Sequence, residues 1–227
     1  MDIKRQAELA KEAALRIASS STESKNEALK RVAQAIDSNR EVILRENKKD
    51  QRDAEKIGLS GALVKRLKLD EGKIDDIVEG VKSVIGLEDP VGRRLMVTEL
   101  DESLVLQKVS TSIGVIGVVF ESRPDALVQI STLCLKSGNA VILKGGSEAK
   151  NSNKILYNLI KKALEEDEIF KGSLQLVETR EEISELLKLD EYIDLMIPRG
   201  SNALVRYIKE NTKIPVLGHS DGICHVY

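Results

Sequence analysis

The chain has 227 residues, enough for one large domain or two small ones. Its 35 Lys and Arg against 37 Asp and Glu leave a net charge of −2 and no basic block, which argues against nucleic acid or an anionic membrane as partner. No apolar run approaches the roughly 20 residues of a bilayer span; the two cysteines, Cys134 and Cys224, show neither CxxC nor zinc spacing, so no metal site is expected and a reducing, cytoplasmic setting is.

Residues 1 to about 86 carry helical periodicity. The stretch MDIKRQAELAKEAALRIA is amphipathic but lacks a signal-peptide core, and Ala7, Leu9, Ala10, Ala13, Ala14, Ile17 and Ala18 recur at helical spacing. Ser21 or Thr22 is placed to cap the next helix, whose face is Leu29, Val32, Ala33 and Ile36. After a break at Asn39 the pattern resumes with Val42, Ile43 and Leu44. GLSGALVKRLKL and DEGKIDDIVEGVKSVIGL give two more helices, with Gly58 and Gly86 as expected stops.

The period changes near Pro90. RRLMVTELDESLVLQKVS holds two extended runs around Asp101-Glu102 and reads as a hairpin within 91–112. Its strands would be exposed unless a partner subunit or a further part of the chain covers them. From 113 to 227 strands and helices alternate. GVIGVVF, NAVILK, LQLV, IDLMI and IPVLG are the strands. DALVQISTLCLKSG, SEAKNSNKILYNLIKKALEE, REEISELLKLD and SNALVRYIKENTK are the helices. That order predicts an α/β fold, a parallel sheet with helices on both faces.

Ligands of such sheets sit at the carboxyl ends of the strands. Two strand-to-helix turns, expected on neighbouring strands, suit an anion. LKGGSE supplies Lys144, Gly145, Gly146, Ser147 and Glu148; MIPRGSN supplies Arg199, Gly200 and Ser201. Both offer small residues and free amides at a helix start. Neither is a GxGxxG or a P-loop. In FESRPDAL, Arg123 follows a strand and is either a two-pronged clamp for carboxylate or phosphate or an ion pair with Glu121 or Asp125. Near the end, Cys224 and His225 alternate along a strand pattern and so point to opposite faces, which argues against a nucleophile–base pair. Cys224 and Cys134 read as buried thiols. His219, in a Gly/Ser/Asp loop, is placed for solvent or ligand.

GVIGVVFESRPDALVQISTLCLKSGNAVILKGGSEAKNSN, with IPRGSNALVRYI and IPVLGHSDGICHVY, closely resembles the γ-glutamyl phosphate reductase family of the aldehyde dehydrogenase superfamily. The resemblance implies an aldehyde-dehydrogenase-like, Rossmann-type sheet with a helical N-terminal region (1–90), a protruding hairpin (91–112) and a βαβ cofactor-binding sheet (113–227). It implies NADPH-dependent reduction of L-glutamate 5-phosphate to L-glutamate 5-semialdehyde and phosphate, a step of L-proline biosynthesis, in a homo-oligomer when intact. A cysteine thiolate attacks the acyl carbon in that superfamily. Carried over, Lys144 contacts the adenosine ribose region. Ser147 replaces a carboxylate that would repel a 2′-phosphate. Gly200 and Ser201 receive the pyrophosphate, with Leu204 and Val205 where the superfamily has a second glycine, and Arg123 meets the substrate. Asp125 departs from the family's asparagine, which puts any donor role there in doubt. The family's nucleophile lies downstream of Cys224, so the chain is expected to be an incomplete cofactor-binding half, inactive alone. The alternative is a non-catalytic nucleotide-binding or assembly module derived from the reductase.

Overall fold

The computed structural model describes residues 2–121 and 123–218. Five helices come first: α1 (Ile3–Ala18), α2 (Thr22–Asp37), α3 (Arg40–Lys56), α4 (Gly61–Leu67) and α5 (Glu71–Gly86). Ser21 caps α2 by accepting from Ser24 N, as its residue type demands. Gly58 takes the left-handed backbone that stops α3, at φ +68°. Gly86 does not act that way. It is the last residue of α5, and the helix ends because Leu87 turns extended.

The hairpin is β1 (Arg94–Asp101) and β2 (Leu104–Val109), antiparallel, with every residue of both strands exposed. Its turn is one residue later than the sequence suggests. Asp101 still pairs with Leu104, so the loop is Glu102-Ser103, and Ser103 carries the positive φ of 68°.

A second sheet follows: β3 (Val115–Phe120), α6 (Pro124–Lys136), β4 (Ala140–Lys144), a 3-10 turn (Ser147–Ala149), α7 (Lys150–Leu164), β5 (Leu174–Leu176), α8 (Arg180–Leu186), β6 (Leu195–Arg199) and α9 (Asn202–Glu210). All its strands are parallel, in the order β5-β4-β3-β6. The expected IPVLG strand is a single bridge, Val216 to Met196, held by Met196 N donating to Pro215 O and Leu217 N to Met196 O. It adds a fifth position beside β6. Gly138, at φ +73°, makes the tight return from α6 into β4 that an L side chain would resist.

Alternation along the strands sorts the core into two layers. Ile116, Val118, Phe120, Val141 and Leu143 pack with α2, α5, α6 and α7. Val115, Val119, Ala140 and Ile142 pack with α1, α8 and α9. Ile142 and Leu143 are fully buried on opposite faces, contributing about 1.5–3 kcal/mol each. The sheet is thus covered on both sides, as its unbroken apolar strands require. Helix α1 is itself part of the second layer, its Ala7, Ala10 and Ala14 lying against the strands because alanine keeps the backbones close. Lys11 fixes it there through an ion pair with Asp194 at 2.7 Å, and Asp194 also accepts from Val115 N at 2.8 Å. On the other face, buried Lys25 of α2 holds Asp89 at 2.9 Å, just before the hairpin. Among the described residues no helix is long and apolar enough to cross a membrane.

Candidate functional site

The chain runs β3 to β4 to β5 in one direction and then places β6 on the far side of β3. The strand order reverses at β3/β6, which is where open α/β sheets leave a crevice beyond their carboxyl ends. The predicted turns after β4 and β6 therefore share one sheet and one edge, but they are not neighbours: β3 lies between them. Val119 of β3 pairs with both Lys144 of β4 and Pro198 of β6, so Lys144 and Arg199 end their strands at nearly the same level.

A cleft of about 460 Å³ opens at this edge. Lys144 and Glu121 come from the strand ends, Ser201, Leu204 and Tyr207 from α9, and Ile183 from α8. Ser201 caps α9, its hydroxyl accepting from Leu204 N at 3.4 Å. Ser184 and Tyr207 hydroxyls lie 3.2 Å apart and tie α8 to α9 across the cleft wall. Gly200 lies close to two of these residues: a methyl there would come within 2.9 Å of the Glu121 carboxyl carbon and 3.0 Å of Leu204 Cδ2. The cleft thus joins an apolar wall of Leu204 and Ile183 to a cation, Lys144, a carboxylate, Glu121, and a helix start.

The predicted residues divide. Lys144 and Ser201 line this cleft. Arg199 stands exposed at the strand end, with no ion pair among the described residues. Gly145, Gly146 and Ser147 line a separate pocket of about 150 Å³ with Lys150, Asn153 and Glu178. Glu148 is half-buried in the 3-10 turn.

The expected free amides at the start of α7 are not free. Ala149, the residue preceding the helix, makes no side-chain cap. Asp50, buried on α3, supplies the cap from outside. It accepts from Asn151 N at 3.0 Å, Ser152 N at 2.7 Å, Asn151 Nδ2 at 2.8 Å and the Ser152 hydroxyl. Those are the two amides an N-cap side chain would satisfy. This end of α7 is a structural joint to α3. Local sequence could not reveal it, because Asp50 is about 100 residues away. Ile183 and Tyr207 were missed for a related reason, and Glu121 and Leu204 were named only as an ion-pair alternative and as a departure from the superfamily's glycine. Their one available signal was position after a strand or at an i, i+3 step on α9.

Arg123 takes its ion-pair alternative, with Asp125 rather than Glu121: Nη2 to Oδ2 is 2.8 Å. The hydrogen bond and charge of Asp125 raise the guanidinium's pKa further. Arg123 lines a different cavity, between α4, α5 and α6. Asp125 therefore has a role as an acceptor. Cys134 is core, as expected; burial pushes its thiol up to about 12, so it stays neutral and unreactive. His219, Cys224 and His225 lie outside the described residues.

No family model matches the chain. Among curated relatives, γ-glutamyl phosphate reductase of Pelotomaculum thermopropionicum is 56% identical over 227 residues, all of this chain and 52% of the relative. That of Methanococcoides burtonii is 54% identical over 231 residues, all of this chain and 51% of the relative. The crystal structure of γ-glutamyl phosphate reductase from Thermotoga maritima superposes with a TM-score of 0.92 at 37% identity, over 96% of this chain and 53% of that one. The Saccharomyces cerevisiae enzyme gives 0.91 at 44% identity, over 99% and 57%. Betaine aldehyde dehydrogenase of Staphylococcus aureus in complex with NAD+ shares the fold at 17% identity, with a TM-score of 0.73 over 96% of this chain and 42% of that one. The chain spans about half the length of the curated relatives it matches, and its fold is aldehyde-dehydrogenase-like.

Proposed function

We propose, from its similarity over its own length to about half of the γ-glutamyl phosphate reductases, that this chain is the N-terminal, cofactor-binding half of an oxidoreductase that reduces L-glutamate 5-phosphate to L-glutamate 5-semialdehyde and phosphate with NADPH, in L-proline biosynthesis. The observation that carries the reading is the meeting of Lys144 and Ser201 in one cleft at the point where the strand order reverses. The nicotinamide cofactor supplies hydride when bound. Lys144 brings positive charge to the ribose and its 2′-phosphate, while Ser147 lines the separate pocket and has no part in that contact. Ser201 and the first turn of α9 face the pyrophosphate, and Leu204 and Ile183 give the base an apolar seat. Arg123, held in an ion pair by Asp125, lines the cavity on the substrate's side of the turn. The attacking cysteine comes from the part of the relatives that this chain does not span. Cys134 is unsuited to that role by burial. Two lone thiols support a cytoplasmic setting.

The test is to titrate NADPH into the chain while following nicotinamide fluorescence. Saturable binding supports the reading; no binding at millimolar cofactor overturns a preformed site. The second reading, an assembly module, has its own observation. The hairpin exposes Leu95, Val97, Leu100, Leu104 and Leu106, each about half exposed or more. The two readings are compatible, with the hairpin joining subunits or docking on the rest of the reductase. Light scattering that finds only monomers of the intact protein would remove the subunit-joining role.

A further inference from the structure

The cavity that holds Arg123 has a volume of about 620 Å³, ample for a small polar ligand. It sits between α4, α5 and α6, beside the turn whose other side, through Glu121, borders the cofactor cleft. Its charges do not cancel. Arg123 is neutralised by Asp125 at 2.8 Å. Lys73 gives its ammonium to the neutral carbonyl of Lys68 at 2.7 Å. Among the described residues Lys65 and Arg66 have neither an ion pair nor a side-chain hydrogen bond, and Asp76 is likewise unpaired. The cavity thus offers two cations without a carboxylate partner, a third, Lys73, whose charge also reaches Asp70, and one carboxylate without a cation. Unpaired like charges lining one concavity repel each other and raise the local concentration of anions.

We propose that this cavity recognises the charged groups of the acyl-phosphate substrate, Lys65, Arg66 and Lys73 taking its carboxylate and phosphate and Asp76 its ammonium. The inference rests on the reductase reading and extends it from Arg123 to the helices packed over it. A phosphorylated amino acid with one carboxylate carries an excess of negative charge and one ammonium, the complement of this lining. Arg66 is the residue with the greatest consequence, because its planar fork can hold two oxygens at once. Asp76 is what separates an amino acid from the same dianion lacking nitrogen.

Amide spectra of the 15N-labelled chain test this, with inorganic phosphate, L-glutamate and glutarate titrated separately at constant ionic strength. Expected are saturable shifts at 62–66, 73–77 and 123–129 for phosphate and L-glutamate, with glutarate weaker than L-glutamate. Arg66→Gln should weaken phosphate at least fivefold, and Asp76→Asn should erase the preference for L-glutamate over glutarate. Both side chains are exposed, and unchanged spectra elsewhere establish that each variant folds; Lys65→Gln serves in place of one that does not. Shifts no larger than those from chloride, or full binding in both Arg66→Gln and Lys65→Gln, overturn the proposal. NADPH is titrated into the same samples. Cofactor shifts at Lys144 and Ser201 without anion shifts at α4–α6 sink this inference alone, whereas the loss of the cofactor shifts sinks the reading beneath it.

Discussion

Replacing Asp50 tests whether the start of α7 is a joint or a ligand site. In Asp50→Ala the α3–α7 contact loses a carboxylate that satisfies Asn151 N and Ser152 N. Ser152 is fully buried, so its amide would lack both partner and water. A lost cap costs about 0.5–2 kcal/mol, and a stranded buried amide about 1–3 kcal/mol. The two overlap, and release of a buried charge offsets a part, so about 3 kcal/mol is expected. For a chain of this size that lowers Tm by about 6–12 °C. Asp50→Asn keeps an acceptor and should recover about half. Differential scanning calorimetry reads the stability, and nicotinamide fluorescence reads NADPH affinity, which should stay within about twofold because α9 supplies the amides that face the phosphates. An unchanged Tm together with tighter NADPH binding in Asp50→Ala would refute this reasoning. It would mean that the amides serve the ligand and that the carboxylate only stands in for it.

Lys144→Ala should weaken NADPH about tenfold and NADH markedly less, since the cation acts on the 2′-phosphate; equal weakening in the same titration would deny that role. Burial alone would raise the Asp89 pKa, but hydrogen bonds from Lys25, Val91 N and Thr22 outweigh it and hold the carboxyl below its ordinary value. Its contribution to stability is therefore complete above the unfolded carboxylate range near about pH 4 and is lost as pH falls through the lower, folded value. Asp89→Asn should flatten the acid limb of a Tm-against-pH curve. In a Cys224→Ser background, iodoacetamide at pH 8 should label Cys134 roughly 10³-fold more slowly in the folded chain than in guanidinium, because burial removes its thiolate. Rapid labelling of the folded chain would contradict the buried placement.

The βαβ succession was readable from sequence because each strand is a short apolar run and each helix a long periodic one. The helix cap at Ser21 followed from residue type. What escaped was set by distance along the chain. The order β5-β4-β3-β6 puts β3 between two turns that looked adjacent, and nothing in LKGGSE or MIPRGSN encodes which strand lies between them. Ser147 follows Lys144 closely in sequence yet faces another pocket, because the backbone turns at Gly145 and Gly146. Asp50 belongs to no local motif and is buried against α7. The hairpin turn slipped by one residue because Glu102-Ser103, not Asp101-Glu102, carries the left-handed geometry.

The pair formed by Lys11 and Asp194 joins residues 183 positions apart. At a synthesis rate of about 5–20 residues per second, α1 leaves the ribosome roughly 10–40 s before its carboxylate anchor exists. Its alanine stripe has no seat until β3 and β4 are made, and their apolar rear stays bare until the first helix returns to it. Closure of this layer thus waits on strands made long after α1, and a holdase that grips residues 3–18 early would govern the yield of folded chains.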